Sequence, residues 1–203
     1  ELPRFPASLN DLNISYTHVL PADLDTLQYF QLTRLGIAGL GLSQLPNGIT
    51  NLPSLIDLDY SNNPIGNVSV FPPNLLFLQM SGTQTTALNN LPDLIRLNCS
   101  NNNITALISL PSALQFLFAA SNPALNQLPS PLPAGLTIMD ISHCGFQSIP
   151  PFPGSLQKVF VQNNQLNCIP FLPSGLQILM ASGNNVFFFL NFFAQLRAYD
   201  GVN

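Results

Sequence analysis

The feature that most constrains this chain is a unit, LxxLxLxxNxLxxLP, that recurs from one end to the other. Its first leucine falls at Leu9, Leu32, Leu55, Leu75, Leu94, Leu114, Leu136, Leu156, Leu176 and Leu196, so successive units are 23, 23, 20, 19, 20, 22, 20, 20 and 20 residues long. Aligning LPSALQFLFAASNPALNQLP, LPAGLTIMDISHCGFQSIP, FPGSLQKVFVQNNQLNCIP and LPSGLQILMASGNNV superposes nearly every apolar position. Units this short share one core by stacking. Within LxxLxL the fourth and sixth positions alternate with polar neighbours, as at Leu58 and Tyr60, Leu97 and Cys99, and Met139 and Ile141. That is the period of a half-buried strand. Identical strands one repeat apart must stack in parallel.

The ninth position is polar amid leucines: Asn63, Asn102, Asn122, Asn164 and Asn184, with Thr17, Thr83 and Cys144 as substitutes. A buried amide there bonds the backbone of neighbouring turns where the chain bends away from the strand. Leu40 breaks this ladder, so the second turn must satisfy its backbone in another way. Proline recurs on the return side, three residues before the next first leucine at Pro6, Pro111, Pro133, Pro153 and Pro173, and two before at Pro53, Pro73 and Pro92. Proline has no N–H and breaks helices, so the convex side is expected to be extended, polyproline-like or 3-10. Only the 23-residue units at the start have room for a short helical turn, for instance near Leu24 to Phe30.

The LPxxLxxLxxxxNxLxxLP unit resembles the short repeats of bacterial leucine-rich-repeat proteins, both the type III secreted effectors and the secreted surface proteins of Bacteroidetes-like bacteria. The segment LNCSNNNIT at Leu97 to Thr105 is similar to the latter. The resemblance covers essentially the whole chain. It implies a leucine-rich-repeat solenoid with a curved, all-parallel sheet on its concave face. The effector family often appends a ubiquitin-ligase domain outside the repeats, and nothing in this sequence matches it. The expected organisation is one domain over residues 1–203, with nine complete repeats and a tenth cut off at Asn203, as a fragment of a longer chain.

Composition narrows the function classes. Only 7% of residues are charged, and five basic residues with a net charge of -4 lack the electrostatic footprint of a nucleic-acid binder. The most apolar stretch, Val186 to Phe193, is too short to span a bilayer. Three cysteines, Cys99, Cys144 and Cys168, form neither a disulfide framework nor a zinc pattern. The first two read as small buried apolar side chains.

Few groups offer catalysis. His18 and His143 are the two histidines, and His143 stands beside Cys144 at the eighth position of its unit. The ninth position points into the core, so the thiol faces away from the imidazole. Asp57 and Asp59, third and fifth in their unit, both project from the concave face. Arg34 and Asp11 occupy the third position on the two preceding strands, and an alternating Asp11, Arg34, Asp57 ladder is ordinary cross-strand pairing. Four Asn-x-Ser/Thr sequons, at Asn13, Asn67, Asn98 and Asn103, are about what so much Asn, Ser and Thr yields by chance. The expectation is a non-enzymatic protein with no metal and no cofactor.

The concave face carries the information about binding. Its third and fifth positions are Asp11, Asn13, Arg34, Gly36, Asp57 and Asp59 in the first three units. From the fourth onward they become Phe77, Phe116, Phe118, Ile138, Phe160, Ile178 and Met180, interrupted by Gln79, Arg96, Asn98, Asp140 and Lys158. An apolar patch of that extent on adjacent strands marks an interface. Phe116, Phe118 and Phe160, with Ile138 between them, are the expected centre, rimmed by Gln115, Asp140 and Lys158. The function expected is recognition of a protein partner by a secreted or cell-surface protein, or by an effector delivered to the host cytosol. A glycan suits the aromatic and amide side chains less well. The rival expectation is end-to-end self-association into a fibre or surface layer, because few charges oppose it. The surplus rings of Phe187, Phe188, Phe189, Phe192 and Phe193 are expected to cover the end of the core or to dock against a segment beyond Asn203.

Overall fold

A computed structural model of the chain describes residues 4–186 and the backbone of residues 188–189. Every full repeat contributes one three-residue strand: β1 (Asp11–Asn13), β2 (Arg34–Gly36), β3 (Asp57–Asp59), β4 (Phe77–Gln79), β5 (Arg96–Asn98), β6 (Phe116–Phe118), β7 (Ile138–Asp140), β8 (Lys158–Phe160) and, in the ninth, β10 (Ile178–Met180). They form one parallel sheet in chain order. The register is the one the repeat demands: Asp11, Arg34, Asp57, Phe77, Arg96, Phe116, Ile138, Lys158 and Ile178 pair in a single row. A slip of one residue would turn every core leucine to solvent. The fourth-position side chains Leu58, Leu78, Leu97, Leu117, Met139 and Val159 are fully buried, as are Tyr60, Met80, Cys99, Ala119, Ile141 and Val161 at the sixth. Burying one such leucine contributes about 1.5 to 3 kcal/mol, so the stack of leucines is the dominant stabilising term.

The turn after each strand is built by two positions acting together. The eighth residue is left-handed in all nine described units: Tyr16, Gly39, Asn62, Gly82, Asn101, Ser121, His143, Asn163 and Gly183 have φ between 54° and 68°. Glycine and asparagine are favoured there because other side chains clash in that conformation. The ninth residue then points inward. Asn102 donates through Nδ2 to the carbonyls of Cys99 (3.1 Å) and, one repeat back, Met80 (2.9 Å). Its Oδ1 accepts from the N–H groups of Thr83 (2.9 Å) and Thr85 (3.0 Å) in the preceding turn. Asn63, Asn122, Asn164 and Asn184 repeat the pattern, each joining the sixth-position carbonyls of two units and serving the eleventh-position N–H of the unit before. Each rung therefore serves the turn behind it. The turn interrupted by Leu40 is served by Asn63, whose Oδ1 accepts from Leu40 (2.9 Å) and Leu42 (3.0 Å). Cys144 keeps half of the device, its thiol donating to the Ala119 carbonyl at 3.4 Å.

The convex side follows unit length. The first 23-residue unit holds helix α1 (Pro21–Leu24) running into a 3-10 turn (Asp25–Tyr29), and the second holds α2 (Asn47–Thr50). Pro21 sits in the first turn of α1 and Pro46 caps α2, positions where a missing N–H costs nothing. Later units return in extended backbone, with one bridge between Ala106 and Gln127 and a short pairing of β9 (Cys168–Ile169) with β11 (Phe188–Phe189). Val186 packs against the core. The side chains of the phenylalanine cluster from Phe187 onward, and the tenth unit at Leu196, lie outside the described residues.

Candidate recognition surface

The concave sheet presents two rows of side chains, one from the third and one from the fifth strand position. In the third-position row, Arg34 lies between Asp11 (3.6 Å) and Asp57 (3.5 Å), the alternating ladder expected. Asp57 is the less exposed carboxylate of the two, and its burial raises its pKa above the ordinary value, against the pull of Arg34. Beyond it the row reads Phe77, Arg96, Phe116, Ile138, Lys158, Ile178. In the fifth-position row, Phe118, Asp140, Phe160 and Met180 are successive. Asp140, and not Ile138, therefore separates the rings of Phe118 and Phe160. Ile138 adjoins Phe116 instead.

All of the expected contact residues lie on this one face. Phe77, Phe116, Phe118, Ile138, Asp140, Phe160 and Ile178 are half-buried and Met180 is exposed. Arg96 crosses between the rows, its guanidinium 5.4 Å from the centre of the Phe118 ring, a cation–π contact. Asp140 is drawn toward its own strand end, where one carboxylate oxygen accepts from Ser142 N (3.0 Å) and Ser142 Oγ (2.7 Å). Asn13, Asp59 and Asn98 make the same bond to the residue two ahead, so a fifth-position Asx also caps the turn. These side chains have a structural use that the phenylalanines at the same position lack.

The candidate catalytic groups stay apart. Burial pushes the Cys99 thiol up to about 12 and the Cys144 thiol up to about 11, which disfavours the nucleophilic thiolate in both. The exposed His143 ring meets the Asn163 amide at 3.2 Å, while Cys144 points to backbone carbonyls inside the turn. Among the described residues, no group of three or more His, Cys, Asp and Glu side chains is placed to hold a metal ion, and no helix is long and apolar enough to cross a membrane.

No protein-family model matches the sequence, and no curated protein is similar to it at a significant level. Solved structures are similar. YopM from Yersinia enterocolitica superposes with a TM-score of 0.73 at 28% identity, covering 93% of this chain and 45% of that one. The functional domain of InlJ from Listeria monocytogenes gives 0.69 at 18% identity, covering 90% and 44%. A Shigella effector leucine-rich-repeat domain gives 0.64 at 23% identity, covering 83% and 77%. The fold is the leucine-rich-repeat solenoid, shared with these bacterial proteins. The chain spans less than half the length of the first two neighbours. The concave face of this solenoid also holds a feature that residue patterns alone did not show. Arg34, Asp57, Phe77, Gln79 and Arg96 surround a hollow of about 410 Å³ where the charged strands meet the apolar ones. A smaller hollow of about 120 Å³ adjoins it over Gly36, where a side chain would collide with Asn13. The signal was present in the sequence as a break from Asp57 to Phe77 in one row. Its meaning as a cavity depended on side-chain packing.

Proposed function

We propose that this chain is a protein-recognition module that engages its partner through the concave sheet face, with Phe77, Phe116, Phe118, Ile138, Asp140, Phe160, Ile178 and Met180 in the contact. The observation that carries the proposal is the half-exposed, mainly apolar surface that these side chains form on five strands, β4, β6, β7, β8 and β10. Part of each ring is already buried, and a partner would cover the rest. Aromatic side chains flanked by Arg96, Asp140 and Lys158 have the make-up of a binding hot spot with a polar rim. Its site of action is outside the cell that makes it, as a secreted, surface-displayed or delivered protein; the Shigella neighbour, an effector by name, supports this.

A photo-crosslinking residue in place of Phe160, on the concave face, and another in place of exposed Gln147, on the convex side, test the site. The expected result is a discrete protein adduct from the concave position alone. An adduct of the same partner from the convex position alone would overturn the proposal. Size-exclusion with light scattering gives a second check. A concentration-independent monomer is expected, and open-ended oligomers would favour end-to-end assembly instead.

A further inference from the structure

Two cations stand inside the apolar half of the concave face. In the third-position row Phe77, Arg96, Phe116, Ile138, Lys158 and Ile178 are successive, so Arg96 lies between two phenylalanines and Lys158 between two isoleucines. Neither is in an ion pair with a carboxylate among the described residues, in contrast to Arg34, which lies between Asp11 and Asp57. The Arg96 guanidinium rests 5.4 Å from the centre of the Phe118 ring, on the side of β5 away from Asp57. Asp140, on the strand before Lys158, accepts from its own Ser142. A partner that touches both Phe77 and Phe116 has to cover Arg96, and one that touches both Ile138 and Ile178 has to cover Lys158. Covering removes water from each charge, and a cation–π contact replaces only part of that hydration.

We infer that the protein partner sets two carboxylate side chains into this face, one on the Arg96 guanidinium and one on the Lys158 ammonium, within an otherwise mainly apolar contact. This pairing rests on the concave-face proposal and narrows it to a partner whose contact surface is acidic as well as apolar. Three strand spacings, about 14 Å, separate the two residues along the sheet, so one acidic side chain cannot serve both. An apolar side chain over either cation would leave a buried charge without a counter-charge. A basic one would add repulsion, and a phosphate would bring nearly two negative charges to a single positive one. A carboxylate matches each cation one for one, and it accepts two N–H bonds from a guanidinium. Charge also orients the partner along the solenoid. The first three strands carry Asp11, Asp57 and Asp59 against Arg34 alone, so they repel the acidic segment that β5 and β8 attract.

The probe is a displayed library of random twelve-residue peptides, selected in parallel against the parent chain and against a double variant, Arg96→Glu with Lys158→Glu. Both side chains project from the concave face, and a thermal melt shows that the variant folds. The pool from the parent is expected to gain Asp and Glu relative to Lys and Arg by at least about threefold over the starting library, beside apolar residues. The pool from the double variant should show the opposite preference. Arg96→Gln and Lys158→Gln, which remove one charge each, should each give a smaller acidic gain than the parent. A parent pool no more acidic than the starting library would overturn the inference, as would an acidic gain that the double variant leaves unchanged. The two proposals can fail separately. Peptides that crosslink from the Phe160 position without an acidic gain remove only the charge pairing; an acidic pool that crosslinks from the Gln147 position alone, and survives the reversal, removes the concave face as well.

Discussion

The inside of the turn and the concave face are made by residues only a few positions apart, yet they obey opposite rules. At the ninth position, Asn63, Asn102, Asn122, Asn164 and Asn184 meet the same backbone groups in every unit, because the backbone itself repeats. At the third position no contact recurs from unit to unit, and at the fifth only the turn bond of Asn13, Asp59, Asn98 and Asp140 does. Arg34 faces two carboxylates, Phe116 adjoins Ile138, and Phe118 carries Arg96 on its face. Uniformity marks what the solenoid needs in order to stack. Variation marks where the fold leaves the side chain free for something else. Asp59 and Asp140 qualify that division, since these concave residues also cap their own turns.

The largest effect expected from testing this contrast is on the ladder. Asn102→Ala removes an amide that serves carbonyls and N–H groups of two turns, all buried, and should cost about 3 kcal/mol. A denaturant melt matching the parent would show that the ladder does not hold the turns. Next is the concave face, where Phe118→Ser should cost the partner complex at least about 2 kcal/mol, roughly thirtyfold in affinity. Its cost in fold stability should be about 1 kcal/mol, because the ring is only half-buried. Titration calorimetry of the complex beside a melt of the free protein separates the two numbers. Asp11→Ala, at the charged end, should leave the affinity near the parent's; a loss equal to that of Phe118→Ser would erase the difference between the two halves of the face.

Smaller effects probe the boundary between the regions. Ser121 is left-handed with φ 57°, so Ser121→Gly should raise stability by about 0.5 to 1 kcal/mol, opposite in sign to the usual effect of glycine. A thermal melt shifted downward would mean that the serine side chain supports the corner. Last is Arg34→Gln. Its two ion pairs are long, 3.6 Å to exposed Asp11 and 3.5 Å to partly buried Asp57, and Arg34 itself is exposed, so the loss should be about 1 kcal/mol and should shrink in high salt. A large, salt-independent loss would place the Arg34 ladder among the elements that the solenoid needs.

By itself the sequence determined the parallel sheet, its register, the inward leucines and the asparagine ladder. Each follows from a short-range pattern that stacking repeats without change, and the pairing of Leu58 with Leu78 and of Leu97 with Leu117 was implied by the alignment of the units. The short helical turns of the opening units were legible for the same reason, since 23 residues leave room that 20 do not. The left-handed corner was also written there, as glycine or asparagine at most of its eighth positions, though Tyr16, Ser121 and His143 obscured it. Only the tertiary structure decided that Asp140 turns down to Ser142, that Arg96 covers the Phe118 ring, and that a hollow opens beside Phe77. A repeat specifies where each Cα lies and which face its side chain leaves. Where the far end of a long side chain comes to rest depends on unlike neighbours one and two strands away, and those neighbours do not repeat.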